Sequence, residues 1–124
     1  MKVRDIMNEV VVIDSDMTLK EAATIMSLNG IGCLTFLKGK KIKGILTERD
    51  ILKNVSNLKK TVSSIMTKKV VVANVDADLK EIISIMTKHK IKKILIVEKG
   101  ELIGIVTSTD IISHSDFLQE DMFF

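Results

Sequence analysis

Aromatic residues are scarce in this chain of 124 residues, which has no Trp, no Tyr and only four Phe. Proteins that bind single-stranded nucleic acid use aromatic side chains as platforms on which bases stack, so this class is disfavoured. The net charge of +3 is small, and the lysines stand beside acidic residues along most of the chain. Composition therefore gives little support to a nucleic-acid-binding protein.

The chain also lacks a second cysteine and any long apolar run. Its single cysteine, Cys33, excludes an internal disulfide and favours a cytosolic location. No stretch approaches the length of a membrane span, and the charged start, MKVRDIM, is unlike a signal peptide. Neither of its histidines, His89 and His114, has a cysteine partner for a metal, and no catalytic Ser or Cys set is present. We therefore predict that the protein is not an enzyme.

What the chain does contain is the same pattern twice. Residues 19–52 realign sixty residues later with residues 79–112. The first stretch contains LKEAATIM and closes on GILTERDIL, and the second contains LKEIISIM and closes on GIVTSTDII. A tandem copy predicts two like units that bury surface against each other about a pseudo-twofold axis. Because each half would be marginal alone, we expect the whole chain to form one compact module.

Each copy predicts a β-α-β-β-α order, an α+β fold whose two units pack through their sheets. A short apolar helical turn, at residues 3–7 or 62–66, precedes each first strand. Thr18 and Glu21, like Asp78 and Glu81, predict a capping box at the start of the long helix. The six expected strands lie near residues 10–13, 34–37, 42–47, 70–73, 94–97 and 102–107.

This element order, joined to the closing pattern Gly-Ile-hydrophobic-Thr-x-x-Asp-Ile, closely resembles the CBS domain, a regulatory module named for cystathionine β-synthase. CBS domains normally work as tandem pairs, and the resemblance covers residues 1 to about 114. It implies a stand-alone pair without a fused catalytic, transport or channel domain. The implied boundaries are a first CBS unit at 1–56, a linker at 57–60, a second CBS unit at 61–114 and a tail at 115–124.

The motifs Thr47-x-x-Asp50 and Thr107-x-x-Asp110 come where a strand turns into a helix. Free backbone N–H groups and the positive end of a helix dipole favour an accepting ligand there, and a carboxylate suits the vicinal hydroxyls of a ribose. In CBS pairs, the matching Thr and Asp hold the ribose and nearby phosphate of an adenosine nucleotide, and the resemblance carries this role onto these four residues. The same pattern is also an ordinary helix cap that needs no ligand.

The copies differ in the cations that they offer to a phosphate. In the second copy Lys92 and Lys93 precede a strand, at the place where family members often present basic side chains. The first copy has Gly32 and Cys33 there and relies on Arg49 inside its motif. We therefore expect the Asp110 site, which includes Thr109, to prefer phosphorylated ligands more strongly.

The resemblance also implies where the adenine lies, namely against residues near the start of the other copy's first strand. Most of these residues would be core in any case, so only their backbone groups and the side chains of Asn8 or Thr67 could read the base edge. The implied residues are Ile6, Met7, Asn8 and Val10 opposite Asp110, and Ile65, Met66, Thr67 and Val70 opposite Asp50.

These features predict a regulatory sensor that binds AMP, ADP or ATP in the cleft between its copies, with S-adenosylmethionine as a further candidate ligand and no catalytic cofactor. It would pass its state to an unidentified protein partner. Aliphatic surface on the long helices and the Phe-rich tail predict a homodimer. The alternative is a ligand-free interaction scaffold whose motifs are only caps. A less favoured alternative is a protein that binds nucleic acid through its lysine-rich hairpins.

Overall fold

The computed structural model describes residues 1–114, so the predicted tail with Phe117, Phe123 and Phe124 lies outside the described residues. The predicted α+β order is confirmed in both repeats. None of the helices within residues 1–114 is long and apolar enough to cross a membrane. After a 3-10 turn at Val3–Asp5, the elements are β1 (Val12–Ile13), α1 (Leu19–Asn29), β2 (Cys33–Lys38), β3 (Lys41–Thr47), α2 (Glu48–Lys53), α3 (Val62–Ile65), β4 (Val72–Asn74), α4 (Leu79–His89), β5 (Lys93–Glu98), β6 (Glu101–Thr107) and α5 (Ser108–Ser113).

Each repeat forms a three-stranded sheet, in the order β1-β2-β3 and β4-β5-β6. The first strand of each sheet runs parallel to the second, and the second and third strands form an antiparallel hairpin. β1 is shorter than predicted and β4 begins later, because each apolar run meets its neighbour only over its last residues. Val11 and Val71 still each accept one backbone hydrogen bond from that neighbour, at 3.1 and 3.3 Å.

Contacts divide the chain into two compact units that do not follow the order of the repeats. The central unit is Val10–Val70, and the terminal unit joins Met1–Glu9 to the described part of the chain that begins at Val71. The opening segment of the second repeat therefore completes the central unit, and that of the first repeat completes the terminal unit. The predicted boundary at residues 57–60 separates the repeats in the sequence and remains a prediction.

Each opening segment adds one bridge to the edge of a sheet. Asn8 pairs with Ile105 of β6 in the terminal unit, and Thr67 pairs with Ile45 of β3 in the central unit. Gly104 and Gly44 make these crossings possible, because neither has a side chain in the way. A Cβ at Gly44 would lie 2.7 Å from the Thr67 carbonyl oxygen, and one at Gly104 would lie 3.0 Å from that of Asn8.

The long helices begin at the predicted N-caps, but the predicted capping boxes are wrong. Thr18 Oγ1 accepts a hydrogen bond from Glu21 N at 3.2 Å, yet the Glu21 carboxylate bonds the Thr18 hydroxyl instead of its N–H. Asp78 caps α4 by accepting from Lys80 N at 3.2 Å. Other first-turn donors find backbone acceptors, since Leu19 N donates to Lys60 O at 2.8 Å. Backbone carbonyls from distant parts of the chain thus accept hydrogen bonds from first-turn N–H groups that a capping side chain would otherwise satisfy.

Each unit has its own aliphatic core, and the opening segments are part of it. Val62 and Met66 are buried in the central unit, where their exposed fractions are 1% and 9%. Val3 and Ile6 are buried in the terminal unit at 0% and 5%. Burying such a side chain contributes about 1.5–3 kcal/mol, so this packing fixes the segments in place beside the Thr-x-x-Asp motifs.

Candidate functional site

Different polar contacts anchor the two opening segments. In the terminal unit Arg4 Nη2 lies 2.8 Å from Asp76 Oδ1, and this bond raises the pKa of the Arg4 guanidinium. In the central unit Ser63 donates to Asp16 from its N–H, at 3.1 Å, and from its hydroxyl. Burial alone would raise the pKa of Asp16, but the bonds from Ser63 and from Met17 N together lower it. Both anchors hold the segment that leads to Asn8 or Thr67.

In the terminal unit the Thr107 and Asp110 side chains bind each other where β6 turns into α5. Asp110 Oδ2 accepts from Thr107 N at 2.8 Å and from Thr107 Oγ1 at 2.9 Å. Thr107 Oγ1 in turn accepts from Asp110 N at 3.2 Å. This is a complete capping box, so one carboxylate oxygen is already occupied by the protein.

The central unit repeats this arrangement where β3 turns into α2. Asp50 Oδ2 accepts from Thr47 N at 2.9 Å and from Thr47 Oγ1 at 3.1 Å, and Asp50 N donates to Thr47 Oγ1 at 3.3 Å. α2 and α5 have only six residues each, so their dipoles add little attraction for an anion. Any preference for phosphate must come from nearby charged side chains.

The second carboxylate oxygen distinguishes the two motifs. Asp110 Oδ1 accepts from the Asn8 side-chain amide, Nδ2, at 2.7 Å. Asn8 is held there because its backbone exchanges hydrogen bonds of 2.8 and 3.0 Å with Ile105. Thr67 occupies the matching place in the central unit and pairs with Ile45 in the same way. Among residues 1–114, however, no side chain donates to Asp50 Oδ1.

The predicted phosphate cations also differ between the units. Lys93 begins β5 and pairs directly with Thr107, so the two side chains lie on the same face of the sheet. Lys92 is exposed, and its carbonyl accepts from Ser108 N at 2.9 Å. Thr109 is exposed on the first turn of α5. Lys93 therefore lies on the face of the sheet that carries Thr107, the capping partner of Asp110, and its contact with a phosphate stays a prediction.

In the central unit Cys33 pairs with Thr47, and the Gly32 carbonyl accepts from Glu48 N at 3.0 Å. The Glu48 carboxylate packs on Gly32, because a Cβ at Gly32 would lie 2.9 Å from Glu48 Oε1. Arg49 is exposed and forms no ion pair with any acid among the described residues. The central motif thus has an acid beside it where the terminal motif has Lys92 and Ser108.

The apolar residues predicted to contact adenine are mostly core residues. Ile6 and Met66 are buried, whereas Met7 and Ile65 are half-buried. Met7 lies against Gly104, with its sulfur 2.9 Å from the position of a Cβ there. Val70 is half-buried in the central unit. Val10 also belongs to the central unit, so it is not grouped with Asn8 and Asp110 in the terminal unit, as the resemblance implied. Asn8 and Thr67 remain the two polar side chains of these sets.

The described residues offer no alternative metal centre. Within residues 1–114, no three side chains of His, Cys, Asp or Glu lie together in a way that could hold a metal ion. His114 is engaged by its own helix, since its Nδ1 lies 2.9 Å from Asp110 O. The paired Thr-x-x-Asp motifs are therefore the main polar constellations to compare with known proteins.

A family model described as the CBS domain matches this chain twice, at residues 3–57 and 62–116. The chain belongs to the CBS-domain family. The resemblance predicted from the sequence is confirmed, and the chain is a tandem CBS pair. Within the pair, the two matches follow the sequence repeats, whereas the compact units exchange the opening segments.

Several solved CBS structures are similar over most of the chain. The CBS domain pair of protein MJ0100, in complex with 5′-methylthioadenosine and S-adenosyl-L-methionine, is 30% identical, with a TM-score of 0.87 over 95% of this chain and 98% of that one. An uncharacterized conserved protein from Pyrococcus horikoshii is 28% identical, with a TM-score of 0.85 over 92% and 91%. The CBS domain protein PAE2072 from Pyrobaculum aerophilum, complexed with AMP, has a TM-score of 0.87 over 97% of both chains and, at 22% identity, shows the fold alone. A search of curated protein sequences gave no match.

Sequence reasoning about this CBS pair missed Glu48. The signal was present, because the first motif reads Thr-Glu-Arg-Asp and the second reads Thr-Ser-Thr-Asp. The pattern Thr-Glu-Arg-Asp offers an acid as well as the cation Arg49 beside the first motif. In the structure the acid is the group that packs on the Gly32 backbone, so it sets the local charge beside the motif.

Proposed function

We propose that this CBS pair is a regulatory sensor that binds an adenosine nucleotide, AMP, ADP or ATP, and passes its occupancy to a protein partner. CBS pairs are commonly regulatory modules that bind adenosine ligands, and the MJ0100 pair was solved with two of them. The proposal includes S-adenosylmethionine as a further ligand and assigns no catalytic residue. Its cytosolic location rests on the single cysteine.

The observation that carries the proposal is the cluster of Thr107, Asp110, Asn8 and Lys93 in the terminal unit. Asp110 is anchored by Thr107 but keeps acceptor capacity, because a carboxylate has about four lone-pair sites. Lys93 lies on the same face as Thr107 and supplies a cation for a phosphate. A ribose hydroxyl donor with a nearby phosphate matches this combination of an acceptor and a cation.

The sensor works only if the ligand distinguishes two states of the protein. A nucleotide that bound both arrangements of the pair equally would shift neither, however tightly it bound. Binding that favours one arrangement of the pair, or of a dimer, would change the surface offered to a partner. Whichever arrangement it favours, a ligand that binds the native protein and not the unfolded chain also raises the apparent stability of the native protein.

A thermal-shift panel tests the proposal. AMP, ADP, ATP, S-adenosylmethionine, 5′-methylthioadenosine and NAD are each added to the wild-type protein at about 100 times an expected Kd, where a specific ligand contributes about 2.7 kcal/mol. We expect at least one adenosine ligand to raise the melting temperature and guanosine monophosphate to leave it unchanged. Equal melting temperatures with every ligand would contradict the proposal.

One observation favours the scaffold as a second candidate function. Both Thr-x-x-Asp motifs form complete capping boxes without any ligand, so their side chains already have a structural role. If the protein is a scaffold, no ligand in the panel should change the melting temperature. Replacing Asp50 or Asp110 should then lower the stability of the protein without affecting any ligand binding. Such a result would identify the motifs as caps and the protein as an interaction module.

A swap of the cations tests the proposed difference between the two sites. Replacing Lys92 by Gly and Lys93 by Cys gives the terminal unit the residues of the central unit. We expect this variant to lose its preference for AMP over adenosine, because charge-assisted contacts are about twice as strong as neutral ones. The reciprocal control, Cys33→Lys, should strengthen AMP binding at the central site. An unchanged preference in both proteins would show that these positions do not contact phosphate.

We also propose a homodimer, because the central unit exposes apolar helical surface. Leu28 of α1 and Leu52 of α2 are 82% and 70% exposed, and Leu52 lines a groove of about 280 Å³ between the two helices. In the second repeat Lys88 stands at the place of Leu28. Sedimentation should show a dimer for the wild-type protein at tens of micromolar, about the range of modest association. Leu28→Lys should give a monomer and the control Lys88→Leu should not, whereas a wild-type monomer would refute the dimer.

A further inference from the structure

The hydrogen bond between Asn8 and Asp110 gives the two proposed sites different acceptor capacities. Asp110 uses Oδ2 for two bonds from Thr107, at 2.8 and 2.9 Å, and Oδ1 for one bond from Asn8, at 2.7 Å. An ionised carboxylate has about four lone-pair sites. One site is then left for a ligand, unless the Asn8 amide moves away.

The Asp50 carboxylate has more capacity. Its Oδ2 accepts two bonds from Thr47, at 2.9 and 3.1 Å, as in the terminal unit. Within residues 1–114, Oδ1 accepts no hydrogen bond, because Thr67 stands where the terminal unit has Asn8. Two lone-pair sites on one oxygen therefore remain for a ligand, which is the number needed by two vicinal hydroxyl groups.

We propose that Asn8 is a specificity-determining residue that restricts Asp110 to a single ribose hydroxyl, whereas Asp50 accepts both. This inference rests on the proposed function, since it concerns the ribose of the same ligand. The terminal site then distinguishes adenosine ligands mainly by the phosphate that contacts Lys93. The central site distinguishes them mainly by the presence of both ribose hydroxyl groups. The Asn8 amide also has a second N–H and a carbonyl oxygen, for which residues 1–114 supply no side-chain partner, so both can contact the ligand.

Burial supports a fixed position for Asn8 in spite of its exposed side chain. Its neighbours Val3 and Ile6 belong to the core of the terminal unit, and its own N–H and carbonyl pair with Ile105. The amide therefore approaches Asp110 from a backbone that is held on both sides. Thr67 is held in the same way by Ile45, so exchanging Asn8 and Thr67 changes side-chain chemistry on matched frames.

The contact itself is testable without a ligand. In a two-dimensional NMR spectrum of the nucleotide-free protein, the Asn8 side-chain amide signals should move in Asp110→Ala and stay in place in Asp50→Ala. Asn74, which is exposed and far from both motifs in sequence, gives reference amide signals. Asn8 signals that are unchanged in Asp110→Ala would overturn the inference.

The consequence is tested by titrating AMP, 2′-deoxy-AMP and 3′-deoxy-AMP while backbone signals of residues 47–50 and 107–110 report each site separately. At the central site both deoxy analogues should bind about tenfold more weakly than AMP, because each loses one charge-assisted hydrogen bond. At the terminal site at most one analogue should be weakened. In Asn8→Thr, both deoxy analogues should bind the terminal site more weakly than AMP. In Thr67→Asn, only one of the two analogues should bind the central site more weakly than AMP.

Two outcomes separate this inference from the proposed function. If AMP binds but the Asn8 and Thr67 exchange leaves both analogue ratios unchanged, the sensor stands and the role of Asn8 is refuted. If AMP moves neither set of signals, the proposed function fails and the selectivity of Asn8 fails with it. The Asn8 bond to Asp110 is judged independently from the nucleotide-free spectra.

Discussion

The central and terminal units share one frame and differ at the few positions that face the Thr-x-x-Asp motif. Both have the same strand order, the same capping box and a glycine where the opening segment crosses the sheet. They differ at Thr67 against Asn8, and at Glu48 against Ser108. The two copies thus keep the residues that form the backbone crossings and the capping boxes, whereas the residues that would meet a ligand have diverged.

The largest expected effect concerns the shared frame, at the two glycines. Gly44→Ala would place a Cβ 2.7 Å from both the Met66 sulfur and the Thr67 backbone oxygen, whereas Gly104→Ala would place one 2.9 Å from the Met7 sulfur and 3.0 Å from the Asn8 backbone oxygen. Both sites thus meet a Met side chain and a backbone oxygen, and the backbone oxygen is closer at Gly44. A backbone atom yields less easily than the end of a side chain. We expect Gly44→Ala to lower the free energy of unfolding by about 3 kcal/mol and Gly104→Ala by about 1 kcal/mol.

Urea unfolding measures both glycine variants, with Lys43→Ala as the control because this neighbouring side chain is exposed. The control should change the free energy of unfolding by less than about 0.5 kcal/mol. If Gly104→Ala proved more destabilising than Gly44→Ala, the opening segment would not pass closer to the sheet glycine in the central unit than in the terminal unit.

The next effect concerns the two aspartates. Asp110→Ala removes the carboxylate half of a capping box and the bond to Asn8, whereas Asp50→Ala removes the carboxylate half alone. In both variants the Thr hydroxyl still accepts its bond from the helix N–H, so each should lose less than the roughly 1 kcal/mol of a whole N-cap. We expect Asp110→Ala to lose the tighter nucleotide binding event by at least about tenfold and Asp50→Ala to spare it. Calorimetric titration of both folded variants measures this difference. Losses of stability without a change in binding would identify both aspartates as caps only.

A smaller effect concerns the middle strand of each sheet. Thr35 is fully buried in β2, and its hydroxyl has no hydrogen-bond partner among residues 1–114, whereas the second repeat has Leu95 at this place. Thr35→Val should raise the free energy of unfolding by about 1 kcal/mol, because a buried unpaired hydroxyl is removed. Leu95→Thr is the reciprocal variant and should be destabilising. A loss of stability in Thr35→Val, measured by urea unfolding, would mean that the hydroxyl has a partner.

The smallest effect concerns the anchors of the opening segments. Bonds from Ser63 and from Met17 outweigh burial and lower the pKa of Asp16, so its contribution to stability is present above its unfolded pKa and is lost as pH falls through the folded value. Asp16→Asn should therefore flatten the fall in melting temperature below about pH 4. Asp14→Asn is the control, since Asp14 is exposed and accepts no side-chain hydrogen bond among the described residues. An unaltered pH profile in Asp16→Asn would contradict this assignment.

The element order was predictable from the repeat, because periodic apolar residues and the N-caps Thr18, Asp78 and Thr47 are local signals. The hydrogen-bond partners at the helix starts were not predictable, because Leu19 N donates to the carbonyl oxygen of Lys60, which lies far along the chain. Local spacing cannot reveal such tertiary acceptors. Of the candidate site, the Thr and Asp pairs were predictable from the motif itself. The place of Asn8 opposite Asp110 was implied by the family resemblance alone, because it depends on a segment of one repeat completing the unit of the other.

Adding AMP to the wild-type protein while its amide signals are followed by NMR shows whether the protein has two unequal adenosine nucleotide sites. The signals of Thr107 to Asp110 should move first, at the lower AMP concentrations, because Lys93 shares their face of the sheet. Those of Thr47 to Asp50, beside Glu48, should follow only at higher concentrations. Signals at both motifs that stay unmoved at millimolar AMP, or that move together at one concentration, would contradict the account.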